Sequence, residues 1–247
     1  MQDKTVIVVE NVSKTFVIYD KQYETIRDRF FNFFTANKRR KIVALKNVSF
    51  NVKKGEFFSV VGRNGSGKST LLLLMAKAFP PDSGGFIDIS EKFMRLSLGM
   101  GFNQELTARQ NIMINSSIMG LTIKEIKQSM NEIIEFAEFQ DFVDTKVKYF
   151  SSGMKSRLMF AIAVNTKAEI LLIDEFFGGV GDLRFQQKAH EVFQRKIIDG
   201  RTIIHVSHNM ENVLQYSDRA LLLEKGECLH VGNPKDVVEM YNKIINC

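Results

Sequence analysis

The sequence predicts an α/β protein, a mostly parallel sheet with helices packed on it and a block of helices inserted in mid-chain. Three observations carry this expectation. Short apolar segments rich in β-branched residues alternate with helical ones, the pattern that strand–helix–strand crossovers produce. Residues from about 107 to 165 look almost wholly helical, which implies an inserted subdomain. A glycine-rich octapeptide, residues 62–69, stands between a predicted strand and a predicted helix.

The elements follow in chain order. KTVIVVENV (residues 4–12) and VALKNVSFNV (43–52) have strand-like β-branched content, and GEFFSVVG (55–62) is a short apolar strand ending at glycine. A helix starts near Lys68 with KSTLLLLMAKAF and is stopped by the turn PPDSGG. GFIDIS and KFMRLSLG read as strands, and IKEIKQSMNEIIEFAEF carries apolar residues near helical spacing. Strands return at AEILLIDE, TIIHVSH and RALLLEKGECLHVG, and a helix follows at PKDVVEMYNKIIN.

Composition narrows the class. The 247 residues suffice for one large domain or two small ones, and 45% hydrophobic with 25% charged residues is the balance of a globular protein. No apolar run approaches the roughly 20 residues needed to span a bilayer. The start, MQDKTVIVVE, is charged at once and lacks the apolar segment of a signal peptide. Cys228 and Cys247 are isolated and lack metal-site spacing, so a reducing compartment is expected. The net charge of +6 suits a nucleic acid or an anionic membrane surface and does not choose between them.

GRNGSGKS, residues 62–69, fits G-x-x-x-x-G-K-[ST]. Gly62, Gly65 and Gly67 let consecutive backbone N–H groups of the loop (Arg63, Asn64 and Ser66 among them) curl around a phosphate, and the helix start at Lys68, Ser69 and Thr70 adds a positive dipole end. Lys68 can reach the β- and γ-phosphates, and the Ser69 hydroxyl can bind Mg²⁺. In AEILLIDE a buried strand brings Asp174 and Glu175 to its C-terminal end, where parallel sheets bind ligands. Asp174 is placed to hold Mg²⁺ and Glu175 to polarise an attacking water. In TIIHVSHN a strand delivers His208 to the same edge, where it could sense the γ-phosphate, while His205, inside the strand, reads as a packed histidine. The turn FSSGM, residues 150–154, is on its own a capped helix start.

The order phosphate loop, Ser-Ser-Gly turn, Asp-Glu strand end, histidine resembles the ATP-binding cassette (ABC) family over nearly the whole chain. The resemblance implies a P-loop NTPase core with a mostly parallel sheet, an antiparallel N-terminal β region and the inserted helical subdomain. The core would occupy about 1–103 and 166–247, and the subdomain about 104–165, of a single domain over 1–247. FSSGM takes the place of the Leu-Ser-Gly-Gly-Gln signature: Ser151 and Gly153 match, whereas Phe150, Ser152 and Met154 depart. By that likeness Ser151 and Gly153 bind the γ-phosphate of ATP held by a second copy. Asp182, in GGVGDLRF, matches the aspartate at the dimer seam. The glutamine that joins core to subdomain has its counterpart at Asn103 or Gln104, and the aromatic that stacks on adenine is Phe16 or Tyr19.

FSSGM, LGMGFNQELT and VGDLRF are similar to the ATPase subunits that export O-antigen, capsule or wall teichoic acid, in the short form without a carbohydrate-binding domain. The implied partners are a second copy, two transmembrane permease subunits and a lipid-linked polysaccharide, at the cytoplasmic face of the bacterial inner membrane. ATP and Mg²⁺ are the implied ligands. An importer ATPase for a small solute fits these motif variants less well. A cassette acting on nucleic acid or ribosomes usually has paired cassettes or long coiled-coil insertions, so no nucleic acid is expected. Residues 22–41 place Ile26, Phe30, Phe33 and Phe34 on one helical face, followed by basic residues at 38–41. This reads either as a helix packed on its own domain or as a surface at the membrane interface or against the permease.

Overall fold

The computed structural model describes residues 4–19, 39–96, 102–174, 183–198 and 200–245. Two sheets form its frame. In the first, β1 (Thr5–Tyr19) pairs antiparallel with β2 (Arg39–Lys53) on one side and β4 (Phe86–Ile89) on the other. Both long strands exceed the segments expected from the sequence, running 15 residues each. Phe16 therefore lies within β1 rather than after it, and Arg39, Arg40 and Lys41 are strand residues opposite Tyr19, Ile18 and Val17. The remainder of the 22–41 segment, with Ile26, Phe30, Phe33 and Phe34, lies outside the described residues.

The second sheet has the order β5 (Phe93–Leu96), β6 (Ile170–Asp174), β7 (Thr202–Ser207), β3 (Phe57–Val61), β8 (Arg219–Glu224), β9 (Glu227–Gly232). All pairs are parallel except the last, a hairpin turned by Lys225 and Gly226 at φ 47° and 82°. Positive φ at both turn positions matches the right-handed twist of the flanking strands. β3 and β7 are buried at every position, as strands covered on both faces must be.

Alternate residues of the strands serve two cores. Ile170 and Leu172 of β6 pack with Leu71, Leu72 and Met75 of α1 (Lys68–Met75) and with the first sheet. Leu171 and Ile173 face the opposite core, with Phe160 of α4 (Ser152–Ala163) and Phe185 and Phe193 of α5 (Leu183–Phe193). A third cluster joins α2 (Ala108–Ile118), α3 (Ile123–Ala137) and α4 around Ile112, Ile126, Ile133, Phe139 and Leu158. Burying one such aliphatic side chain is worth about 1.5–3 kcal/mol, so each cluster holds its elements firmly. α6 (Met210–Tyr216) and α7 (Pro234–Ile245) complete the chain, with Val237 and Val238 packed on Val61, Ala220 and Leu222.

α1 ends four residues before the sequence pattern implies. Lys77 turns left-handed at φ 58°, and the N–H groups of Lys77 and Ala78 donate to Leu74 and Leu73, a reciprocal closure of the last carbonyls. The early stop frees the chain to reach β4 through the Pro-rich turn. α5 and the π-helical segment Gln194–Ile198 have no counterpart among the sequence-derived elements.

Candidate nucleotide site

The loop between β3 and α1 is shaped by contacts that only glycine permits. A Cβ on Gly62 would stand 2.0 Å from the Leu223 carbonyl oxygen, and one on Gly67 would stand 2.5 Å from that of Ala44. Gly67 also has φ 109°, a left-handed conformation that costs other residues dearly. The N–H of Ser66 donates to the Arg63 carbonyl at 3.1 Å, closing a turn inside the loop. The loop is then tied from outside: the N–H of Gly226 donates to Ser66 O at 2.9 Å, and Gly226 O accepts from the N–H of Lys46 at 2.8 Å.

Lys68 is buried and crosses this loop. Its Nζ donates to Gly62 O at 2.6 Å and to Arg63 O at 2.9 Å. No side chain caps α1, and its first turn carries no acid, so the positive end of the helix faces the loop unscreened. Among the described residues the buried Ser66 hydroxyl has no hydrogen-bond partner. A cavity of about 440 Å³ opens here, lined by Asn64, Gly65, Gly67, Lys68, Ser69 and Thr70, with Val206 from β7 and Phe16, Ile42, Val43 and Ala44 from the first sheet. Its size falls within the range of small-molecule sites. Basic and backbone N–H donors at one end and an aromatic and aliphatic wall at the other suit a nucleotide, phosphates inward.

Phe16 stands edge-on to Phe79 at 5.9 Å, with the Lys14 ammonium 5.7 Å from its ring centre. Tyr19, the other aromatic considered for stacking, ends β1, and its side chain lies outside the described residues. Asp174 closes β6 level with Val206, which lines the cavity. It is partly exposed and meets Arg95 Nη2 at 3.5 Å. Glu175 and Asp182 lie outside the described residues. Among the described residues no cluster of His, Cys, Asp and Glu gathers to hold a metal. The donors on hand are the Ser69 hydroxyl and the Asp174 carboxylate, hard oxygens that suit Mg²⁺ shared with substrate phosphates.

His208 follows β7 by one residue and is exposed. It lines a second cavity, of about 670 Å³, with Arg63, Asn64 and, from α7, Tyr241 and Ile245; Asn64 lines both cavities. His205 is buried, edge-on to Phe57 at 5.6 Å and 3.4 Å from the Ser59 hydroxyl.

The remaining sequence-derived positions line neither cavity. Ser151 caps α4, its Oγ accepting from the Met154 N–H at 3.2 Å. Phe150 is buried and stacks on Phe139 at 5.1 Å, which accounts for an aromatic where the signature has leucine. Among the described residues nothing demands glycine at 153: an added Cβ would meet only Ser151 Oγ, at 4.0 Å. Asn103 is committed to a turn, its Oδ1 accepting from Glu105 N–H at 2.9 Å while its backbone bonds the buried Asn111. Gln104 is exposed and contributes its carbonyl to Lys148 N–H at 2.9 Å. Two residues of the site escaped the sequence reading. Arg95 was indistinguishable from a surface cation in a short strand, and Gly226 lay inside the stretch RALLLEKGECLHVG, read as strand.

The ABC transporter family model matches residues 45–178, from the middle of β2 through the phosphate loop to just beyond Asp174. The chain belongs to the ABC transporter family. The chain is accordingly an ATP-binding ATPase. The cassette is 37% identical over 241 residues to the O-antigen export system ATP-binding protein RfbB of Klebsiella pneumoniae, covering 96% of this chain and 98% of that protein. It is 37% identical to the ABC transporter protein AbcA of Aeromonas salmonicida, covering 98% of this chain and 77% of that one. It is 36% identical to the teichoic acids export ATP-binding protein TagH of Shouchella clausii, covering 97% and 66% respectively. In fold it is similar to the ATP-binding cassette MJ0796, solved as a dimer in a post-hydrolysis state bound to ADP and Pi, with a TM-score of 0.68, 23% identity, and 92% and 98% of the two chains covered.

Proposed function

We propose that this cassette is the ATPase subunit of an exporter of a lipid-linked cell-surface polysaccharide, working as a pair beneath two separate transmembrane subunits. The observation that carries the proposal is the buried lysine held across a glycine-shaped loop at the mouth of a nucleotide-sized cavity. It is joined to end-to-end similarity with a protein named for O-antigen export. Among the described residues no helix is long and apolar enough to cross a membrane, so the export path belongs to partner chains.

The chain's own groups divide the work. Backbone N–H groups of residues 62–69 and the start of α1 hold the phosphates. Lys68 transfers its donors from the Gly62 and Arg63 carbonyls to the β- and γ-phosphate oxygens, exchanging neutral acceptors for charged ones. Phe16 lines the cavity and offers a ring on which an adenine would stack. Ser69 and Asp174 would hold Mg²⁺, which supplies charge neutralisation at the phosphate oxygens. Asn103 or Gln104, at the junction between the core and the helical subdomain (104–165), would reach toward it when the cassette closes. Glu175 orients and polarises the attacking water, and His208 donates a hydrogen bond to the γ-phosphate.

Ser151 and Gly153 complete the site of the other copy, where the free space around Gly153 admits a close backbone approach. Asp182 would lie at the seam between the two copies. Docking of the pair on the cytoplasmic face of the inner membrane couples closure to export. Affinity purification of the tagged chain from its native host tests the assembly. A polytopic membrane protein recovered with it in near-equal amount supports the reading. A chain recovered alone, or with ribosomes, contradicts it.

A further inference from the structure

Arg95 is the cation of a four-residue strand whose other members, Phe93, Met94 and Leu96, are apolar. β5 runs parallel to β6 with Arg95 level with Leu172. Leu172 and Asp174, two apart, share one side of β6, and Arg95 shares that side across the ladder. It is the side on which α1 lies, since Leu172 and Phe93 both pack in the core built on Leu71, Leu72 and Met75. The guanidinium extends along the sheet to its C-terminal edge and reaches Asp174 Oδ2 with Nη2 at 3.5 Å. Both side chains are about three-quarters covered, at 24% and 23% exposure. Among the described residues the buried Arg95 Nε has no hydrogen-bond partner, so Nε adds no second bond to this ion pair.

We propose that Arg95 governs the metal affinity of the cassette by competing for Asp174. The inference rests on the reading of Asp174 as the carboxylate of the Mg²⁺ site. In the nucleotide-free chain the guanidinium neutralises that carboxylate and keeps it ordered beside the cavity. A divalent ion bound at Asp174 stands a few ångströms from the guanidinium and is repelled by it, so binding requires the arginine to withdraw. Because the pair is long, at 3.5 Å, and partly exposed, withdrawal sacrifices little. Arg95 thus acts as a positioning residue that delays metal entry until ATP phosphates add their own negative charge.

The test is Mn²⁺ binding followed by electron paramagnetic resonance, on the full chain with a non-hydrolysable imido analogue of ATP. Arg95→Met is expected to bind Mn²⁺ about two- to fivefold more tightly than the parent chain, the range that loss of one partly exposed ion pair spans. Arg95→Lys, which retains the charge, is expected to stay nearer the parent value. Unchanged or weaker Mn²⁺ binding by a folded Arg95→Met overturns the proposal, because a purely structural strut predicts that direction. Should Arg95→Met not fold, Arg95→Gln is read by the same criterion, and failure of both to fold also overturns it. Asp174→Asn separates the two levels. If it binds Mn²⁺ as the parent does, the metal-site reading itself falls. If it loses Mn²⁺ while Arg95→Met leaves affinity unchanged, only the role of Arg95 falls.

Discussion

The N–H of Gly226 donates to the carbonyl of Ser66 at 2.9 Å, so the turn between the last two strands braces the phosphate loop from the side. The same glycine accepts from Lys46 in β2, and a Cβ on it would stand 2.8 Å from the Ala44 carbonyl oxygen. Gly226→Ala is therefore expected to lower stability by about 1–3 kcal/mol, from left-handed strain plus the clash. It is also expected to weaken ATP binding by distorting Ser66. A thermal melt and a nucleotide titration on one preparation check both, and an unchanged melting temperature would remove the bracing role.

Lys68→Ala removes the only described side chain that spans the loop by hydrogen bonds to Gly62 and Arg63. Charge-assisted bonds to phosphate are worth about 1.5–3 kcal/mol, so ATP affinity should fall by about ten- to a hundredfold in calorimetric titration. Parent-like affinity would count against the phosphate-loop reading.

Glu175→Gln keeps the shape of the side chain and removes its ability to polarise water. ATP binding should persist while turnover falls by about a hundredfold or more, the scale of general-base catalysis. Hydrolysis at the parent rate by the assembled complex would exclude Glu175 from that role.

Acid should loosen the start of α3. Glu125 accepts from Thr122 in a capping box and pairs with Lys167, and these contacts, the lysine first, pull its carboxyl from the ordinary 4.5 down to about 2. A depressed folded-state value means that the stabilisation is fully present above about pH 4.5 and disappears as pH falls through about 2. Circular dichroism of the parent and of Glu125→Gln should differ in thermal stability near neutrality and converge toward pH 2. A constant difference across that range would rule out the ionised carboxylate as its source.

Much of the fold was legible because its strongest constraints are local. The phosphate loop shows in the sequence because its tight backbone demands glycine at 62 and 67, with lysine next in register. β6 and β7 show because covering both faces requires continuous apolar runs. The end of β1, residues 13–19, and the start of β2, residues 39–42, were not legible. Val17, Ile18 and Ile42 are exposed apolar residues and break the alternation that marks a half-buried strand. The Arg95–Asp174 and Gly226–Ser66 contacts join residues far apart in the chain, and no periodicity or spacing encodes them. The aromatic at 150 becomes intelligible only with Phe139 stacked against it.

The most direct test of the account is deletion of the gene in its native host, followed by assay of the surface polysaccharide and its lipid-linked precursor on either side of the inner membrane. The account predicts that the precursor accumulates on the cytoplasmic side. It predicts rescue by the parent gene and no rescue by one carrying Lys68→Ala. Normal surface polysaccharide in the deletion strain, or full rescue by Lys68→Ala, would contradict it.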